Sequence, residues 1–480
     1  MSPPILRLFG TIVLLFLVLA AWTSRWAIFE AEDLRADTLN KRPLFAALRV
    51  ERGAIRTADG VLAARSVRGP RGTFRRTYPT GPLLAHPLGY ANVALQQLSG
   101  VERFRNDELS GAGDEIDAVV DQLQGKRREG DALRTTIDAE AQRVALEQLA
   151  AAGDAGAVVA LDPRTGAVKA MASLPTYDPN ALGDRARLRA LNRDPAAPLF
   201  NRATQSGYPP ASTFKVLTAA AAIDSGEFTP DSPIDGDSPK VISGVPLQND
   251  GGTSYGTITL STALTFSVNT VFAQVGEQLG IETMARYMER FGFYERPPLD
   301  YPPDQLVASG ERLNGRLMDP TSRRIDVGRM AIGQDKLAVT PLQMAMVVAA
   351  IANDGTLMEP HLVSEVIDPD GRTVERVEPR ELGAPISPTT ARALNEMMRT
   401  VVEEGTGTAV RLPGIQVAGK TGTAEVGALG SGLTQPWFVA FAPADDPRVA
   451  IAVTVERSQG GFGGTVAAPI ARAVLESLLD

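Results

Sequence analysis

The chain contains no cysteine in 480 residues. That excludes disulfides, thiolate nucleophiles and cysteine-ligated metals, and it leaves the redox character of the compartment open. Histidine is almost as scarce. His86 and His361 are the only two; they lie far apart and read as loop residues rather than as ligands of a metal. Lysine is the third scarcity: of 48 basic side chains only seven are lysine, at positions 41, 126, 169, 215, 240, 336 and 420. Arginine cannot give up its proton to act as a base, so a lysine standing where chemistry is sought carries more weight here than usual. Positive charge is in deficit overall, with a net charge of −8 and a pI near 5.2. Nothing in that balance suggests a basic patch, and nucleic acid is set aside as a partner.

What is present is ordinary globular composition, 44% hydrophobic and 22% charged. Typical domain sizes divide a chain of this length into two or three units. There is no internal repeat and no low-complexity segment. Leu8 to Ser24 is a run of seventeen uncharged residues bounded by Arg7 and Arg25, with Trp22 and Trp26 at its far edge. That is the short limit of a membrane span, the tryptophans suit an interfacial belt, and the arginines can snorkel to lengthen it. A cleaved signal peptide is the competing reading, but no small-x-small cleavage site followed by polar sequence is evident, and an uncleaved anchor is preferred. Charge does not orient it, because Arg7 on one side faces Arg25 and Arg35 on the other.

The expected organisation is a tail and anchor over 1–29, a small turn-rich pedestal over 30–135, and a larger domain over 136–480. TIDAEAQRVALEQLAAA (Thr136–Ala152) has a helical period, with Thr136 or Asp138 available as its cap. AGAVVALDPRTGAVKAMAS reads as a hairpin. GIQVAGKTGTAE, PWFVAFAPA and RVAIAVTVE read as strands, and an amphipathic helix over Val466–Leu479 closes the chain. Hairpin strands at both ends with helices between them predict one antiparallel sheet flanked by helices, an α+β arrangement.

Three short segments carry the chemistry. Ser212-Thr-Phe-Lys215 follows Tyr-Pro-Pro-Ala and precedes VLTAAAAI, which places Ser212 at or beside a helix start. A serine and a lysine three apart on a first turn share a face, so a neutral lysine can accept the serine proton, and the positive helix end favours the oxyanion formed after attack. The bland alternative is an N-cap serine with a solvent-facing lysine. None of the other six lysines has a serine three residues before it. The second segment is Ser267-Val268-Asn269, and the third is Lys420-Thr421-Gly422-Thr423 at the end of a strand-like run.

The ordered set S-x-x-K, S-x-N, K-T-G resembles the penicillin-recognising serine enzymes, in which S-D-N is the usual middle motif. Valine replaces the aspartate here, and class B penicillin-binding proteins vary at that position. ERGAIRTADGVLA, PTYDPN, NRATQSGYPPASTFK, GQDKLAVTPLQMA and VAGKTGTAE also resemble class B segments. The likeness covers most of the chain after the anchor. It implies a penicillin-binding transpeptidase domain on a small dimerisation-like pedestal, with no metal or cofactor. It implies acylation of Ser212 by a peptidoglycan stem peptide ending in D-Ala-D-Ala, or by a β-lactam, with Lys215 as base. Ser267 would relay a proton to the leaving amine, and Asn269 would orient Lys215 and substrate. Lys420 would supply positive charge near Ser267 and the substrate carboxylate, which Thr421 and Thr423 would bind, with Gly422 between them in the substrate-binding strand. Backbone N–H groups of Ser212 and Thr423 would form the oxyanion hole. Two ammonium groups in one cleft are expected to lower each other's pKa. The resemblance further implies a cytoplasmic-membrane protein with an extracytoplasmic catalytic domain, working beside a separate glycosyltransferase in an elongation or division complex.

Rival readings remain. Gly414 to Thr421 satisfies G-x-x-x-x-G-K-[ST], the phosphate-loop pattern of nucleotide triphosphatases, but IQVA is strand-like and glycines rather than a helix follow. A β-lactamase or β-lactam sensor shares the three motifs. Glu311-Arg-Leu-Asn314 mimics the deacylating-glutamate segment of one β-lactamase class, yet its spacing is one residue short and it reads as a loop. The roughly 110 residues ahead of the catalytic domain serve no hydrolase and are too few for a glycosyltransferase domain, so a bifunctional class A enzyme is not expected. A catalytically silent cell-wall scaffold is the reading from outside enzymology, and the intact motif residues argue against it. Glu403-Glu404-Gly405 reads as a solvated helix end and turn.

Overall fold

In the computed structural model, residues 3–26, 41–112, 129–428 and 431–480 are described; Arg35, Lys126, Gly430 and parts of the expected anchor and pedestal lie outside them. The apolar run forms helix α1 (Pro3–Ser24), 22 residues with no side chain buried against the rest of the protein. At 1.5 Å per residue it is about 33 Å long, enough for a hydrocarbon core of about 30 Å. Arg25 lies over the Trp22 ring at 5.7 Å.

The first sheet is a composite. Ile55–Arg56, Leu62–Arg68 and Phe74–Thr77 pair antiparallel, and Ala132–Thr135 joins Ile55–Arg56 in parallel. Val363–Ile367 then pairs with Ala132–Thr135, and Thr373–Arg376 extends the sheet. Beneath it Glu102 is wholly buried, with Arg52 at 2.9 Å, Arg76 at 2.5 Å and the Tyr78 hydroxyl at 3.2 Å. Burial pushes its carboxyl up, but Arg76 and Arg52 outweigh that and hold it below its usual range. A buried ion cluster is costly to break because the survivor stays desolvated and unpaired.

Helix α2 (Ala139–Ala152) is capped by Asp138, whose side chain accepts from the Ala141 N–H. The alternative cap, Thr136, instead donates to the carbonyls of Val168 and His361. Strands β1 (Gly156–Leu161) and β2 (Val168–Leu174) form the expected hairpin. Helix α3 (Lys215–Asp224) is buried at every residue from Lys215 to Ala222. Beyond it run α4 (Asn269–Arg290, broken at Gly280), α5 (Pro341–Ala352) and α6 (Pro388–Glu403). Strands β3 (Ala418–Glu425), β4 (Leu433–Ala442) and β5 (Val449–Val455) follow, and α7 (Ala468–Leu479) closes the chain. The second sheet has the order β3-β4-β5-β1-β2, antiparallel throughout. Nearly every residue of β4 and β5 is buried, as strands covered on both faces require. α3 and α5, apolar around most of their circumference, fill the core on one side. α2 and α7 cover the other.

Four expectations need correction. Glu311 is not in a loop: Gly310–Leu313 is a strand, paired with Arg316–Leu317 and with Leu337–Ala338, which turns Glu311 inward to complete burial. His86 sits in a short helix, Ala85–Leu88, 4% exposed, with its ring against Tyr177. His361 is backbone-paired with Ala167 rather than held in a loose connection. The C-terminal α-helix begins at Ala468, because Gly463–Ala467 forms a wider π-type turn ahead of it.

Candidate active site

The segment before Ser212 is tied down from both directions. Tyr208 and Val339 exchange backbone hydrogen bonds, and the Ala211 N–H donates to the Gly333 carbonyl at 3.0 Å. The Tyr208 hydroxyl donates to Glu456, which also accepts from Arg202. Ala211 takes φ 49° and Ser212 lies in a 3-10 turn, Ala211–Phe214, that runs directly into α3. Side chains at i and i+3 eclipse in that geometry, so Ser212 and Lys215 point the same way. The N-cap alternative does not hold. Neither this turn nor α3 has a side-chain cap, and Lys215 is 0% exposed.

Lys215 reaches the start of α4. Its Nζ lies 2.6 Å from the Ser267 carbonyl and 2.7 Å from Asn269 Oδ1, with Ser267 Oγ at 3.4 Å. Burial, reinforced by the charge of Lys420 and opposed by Asp250, holds Lys215 well below the ordinary lysine pKa. Phe272, fully buried, closes over the amine at 5.6 Å. Burial thus favours the neutral amine, whose lone pair can accept an incoming proton. Ser267 has φ 60°, a left-handed conformation of the kind that concentrates at functional sites. Asn269 is itself held by its Nδ2, which donates to the Gln248 carbonyl at 3.2 Å.

Strand β3 completes the cleft. Lys420 Nζ donates to Ser267 Oγ at 2.9 Å and to the Thr421 carbonyl at 3.1 Å. Burial lowers its pKa to about 7. The expected mutual repulsion of the two lysines is therefore the lesser cause: it adds to burial at Lys215, and burial alone acts at Lys420. Gly422 passes directly over the serine turn. A Cβ there would stand 2.9 Å from the Pro210 carbonyl and 3.1 Å from the Thr213 nitrogen, so side-chain absence permits the approach. With strand period two, Thr421 and Thr423 lie on the opposite face from Lys420. Thr421 is 7% exposed with its hydroxyl paired to Thr406 at 2.5 Å. Thr423 Oγ1 accepts from the Gly463 N–H at 3.0 Å.

Lys215, Ser267, Asn269 and Lys420 thus meet directly, and Gly422 brings the strand bearing Thr421 and Thr423 against the turn that carries Ser212. Sequence reasoning missed Gly333, Gln248, Asp250, Thr406 and Gly463. Glycine crowding around 405–407 and 460–464 was the available signal for the last two. The phosphate-loop pattern has no structural counterpart, since its lysine is buried inside β3 and the chain continues as strand to Glu425.

An antiparallel sheet edged by a K-T-G strand, with S-x-x-K and S-x-N across the cleft, defines the serine-acylating, penicillin-recognising class. Residues 156–476 match the penicillin binding protein transpeptidase domain, and residues 52–133 match the penicillin binding protein A dimerisation domain. The chain belongs to the penicillin-binding protein transpeptidase family. It is 36% identical to the peptidoglycan D,D-transpeptidase PbpA of Mycolicibacterium smegmatis, covering 100% of this chain and 99% of that protein. It is 34% identical to PbpA of Mycobacterium tuberculosis, with the same coverage. Penicillin-binding protein A from M. tuberculosis, solved as a penicillin G acyl-enzyme complex, superposes with a TM-score of 0.79 at 33% identity, covering 90% of this chain and all of that one. A D,D-transpeptidase domain from Eggerthella lenta gives 0.77 at 34% identity, covering 90% and 98%.

Proposed function

We propose that the protein is a monofunctional peptidoglycan D,D-transpeptidase that is acylated and inhibited by β-lactams. The observation that carries this reading is the meeting of Ser212, Lys215, Ser267, Asn269 and Lys420 around one cleft. In the proposed cycle Ser212 Oγ attacks the carbonyl carbon of the penultimate D-Ala while Lys215 takes the hydroxyl proton. The C–N bond then breaks, the proton passes through Ser267 to the departing nitrogen, and D-Ala leaves. The amine of a second stem peptide attacks the Ser212 ester, forming the crosslink, and its proton returns to Ser212 Oγ. Asn269 holds Lys215 in place throughout. Lys420 supplies positive charge beside Ser267 and the substrate carboxylate, which Thr421 and Thr423 bind as β3 passes Gly422. The N–H groups of Ser212 and Thr423 take the oxyanion.

The finer reading is of an anchored enzyme. α1 crosses the cytoplasmic membrane once and residues after it lie outside, where peptidoglycan is crosslinked. The three units are the anchor over 1–29, a pedestal over 30–135 and the transpeptidase domain over 136–480. Glycan polymerisation falls to a separate glycosyltransferase in an elongation or division complex.

Mass spectrometry after incubation with labelled penicillin tests the central claim. A stable adduct on Ser212, lost in Ser212→Ala, is expected. Rapid turnover without accumulation would replace the reading with a β-lactamase, and absence of any adduct would replace it with a scaffold.

A further inference from the structure

Two stacked rings lie beside Ser267, one exposed and one half-buried against the core, and the cycle above does not use them. Phe266, immediately before Ser267, is 43% exposed and stacks on Tyr255, with ring centroids 6.2 Å apart and planes at 22°. Phe266, backed by the half-buried Tyr255, leaves apolar surface uncovered one residue from Ser267. The loop carrying Tyr255 is tied down by hydrogen bonds. Asn249, 4% exposed, donates to the carbonyls of Gly236 and Thr253 and accepts from the Thr270 N–H. Tyr255 donates its own N–H to Gly236. The same loop bears Asp250, an exposed carboxylate that lies close enough to act electrostatically on Lys215.

Position assigns the rings to one half of the reaction. The nitrogen that leaves in acylation takes its proton by way of Ser267. By microscopic reversibility, the nitrogen that enters in the second step arrives at the same place and passes its proton back along the same groups. Thr421 and Thr423 lie on the facing wall, so the Ser267 wall is the side from which an incoming amine approaches. We propose that Tyr255 and Phe266 form the acceptor platform, packing against the aliphatic arm of the second stem peptide, while Asp250 draws its primary amine, cationic in solution, to the cleft, where it gives one proton to water and attacks as the free base. Rings and methylenes supply apolar contact, and a cation near an aromatic face gains further attraction.

This inference rests on the transpeptidase reading, and the test separates the two. The full-length protein is acylated with a D-Ala-D-Ala peptide donor, and partition of the acyl-enzyme between water and an amine-bearing stem peptide is measured alongside the rate of penicillin acylation. Phe266→Ala and Tyr255→Ala each lower the aminolysis-to-hydrolysis ratio about tenfold through a raised acceptor KM, against a change of less than about twofold in penicillin acylation. Phe266→Tyr restores the ratio. Asp250→Asn raises the acceptor KM and flattens its dependence on salt. Aminolysis and hydrolysis falling in step in both alanine variants, or an unchanged ratio, overturns the platform. A wild-type protein that forms no adduct overturns the transpeptidase reading beneath it.

Discussion

A carboxyl group that is buried without partners is expensive in its charged form, and Glu311 is such a group. It is 0% exposed, and neither carboxyl oxygen makes a well-formed hydrogen bond among the described residues, though the Lys336 backbone N–H approaches closely enough to favour the charge slightly. Burial, reinforced by Asp335 and Asp326 and opposed by Lys336, pushes its pKa from 4.5 up to about 8. The folded state therefore binds more protons than the unfolded state between those values. Stability falls as pH rises from about 4.5 to about 8 and levels off beyond it, with an upper bound of about 5 kcal/mol from this one group. Glu311→Gln removes that slope. Thermal melting across pH 5 to 9 is expected to show the wild type losing stability faster than the variant; parallel curves would mean that Glu311 ionises freely in the fold. The buried lysines obey the same electrostatics with opposite sign. Loss of hydration favours their neutral forms, which is the state Lys215 needs in order to accept a proton.

At the scale of elements, the serine turn is a junction between segments distant in sequence. Gly333 has φ +75°, and a Cβ built on it would stand 2.0 Å from the Ala211 carbonyl oxygen, a backbone atom that cannot swing aside. Gly333→Ala must therefore move the turn carrying Ser212. Misplacement of a nucleophile by about 1 Å can cost about 10²-fold in rate, and a loss of that order in penicillin acylation is expected, with far-UV circular dichroism preserved. Acylation at the wild-type rate would show that the turn is held by other contacts. The segment containing Gly333 was legible in the sequence only as a family likeness; its work as a brace on Ala211 was not, because that depends on backbone groups with no side-chain signature. The same holds for Gly463 and the Gln248 carbonyl. Ser212, Lys215, Ser267, Asn269 and Lys420 were readable because their chemistry resides in side chains whose types are scarce or paired at fixed spacing. Glu311 was misplaced for the complementary reason. Asn314 and Gly315, both at positive φ, mark a turn, and the strand before them is specified by pairing with residues 337–338.

For the whole molecule, the division of labour follows from where apolar surface is buried. One face of the catalytic sheet with α3 and α5, together with Ile55, Ala63, Ala64 and Leu133 of the first sheet, contributes to one continuous core, so the first sheet is braced against the second rather than suspended from it. α1 contributes nothing to that core: none of its residues is buried, although its most apolar 18-residue stretch has a mean hydropathy of 2.4. In water such a helix would leave a full turn-by-turn apolar surface exposed, which soluble proteins avoid, whereas a bilayer covers it at no cost to the rest of the fold. Removing residues 3–26 should then change location and leave chemistry intact. The shortened protein is expected in the soluble fraction, acylated by penicillin at Ser212 within about twofold of the full-length rate, since none of the described residues of α1 is buried against the rest of the protein. Cell fractionation with labelled penicillin reads both properties in one experiment. Retention in the membrane pellet would mean that another surface does the anchoring, and loss of acylation would mean that the helix supports the fold it does not touch.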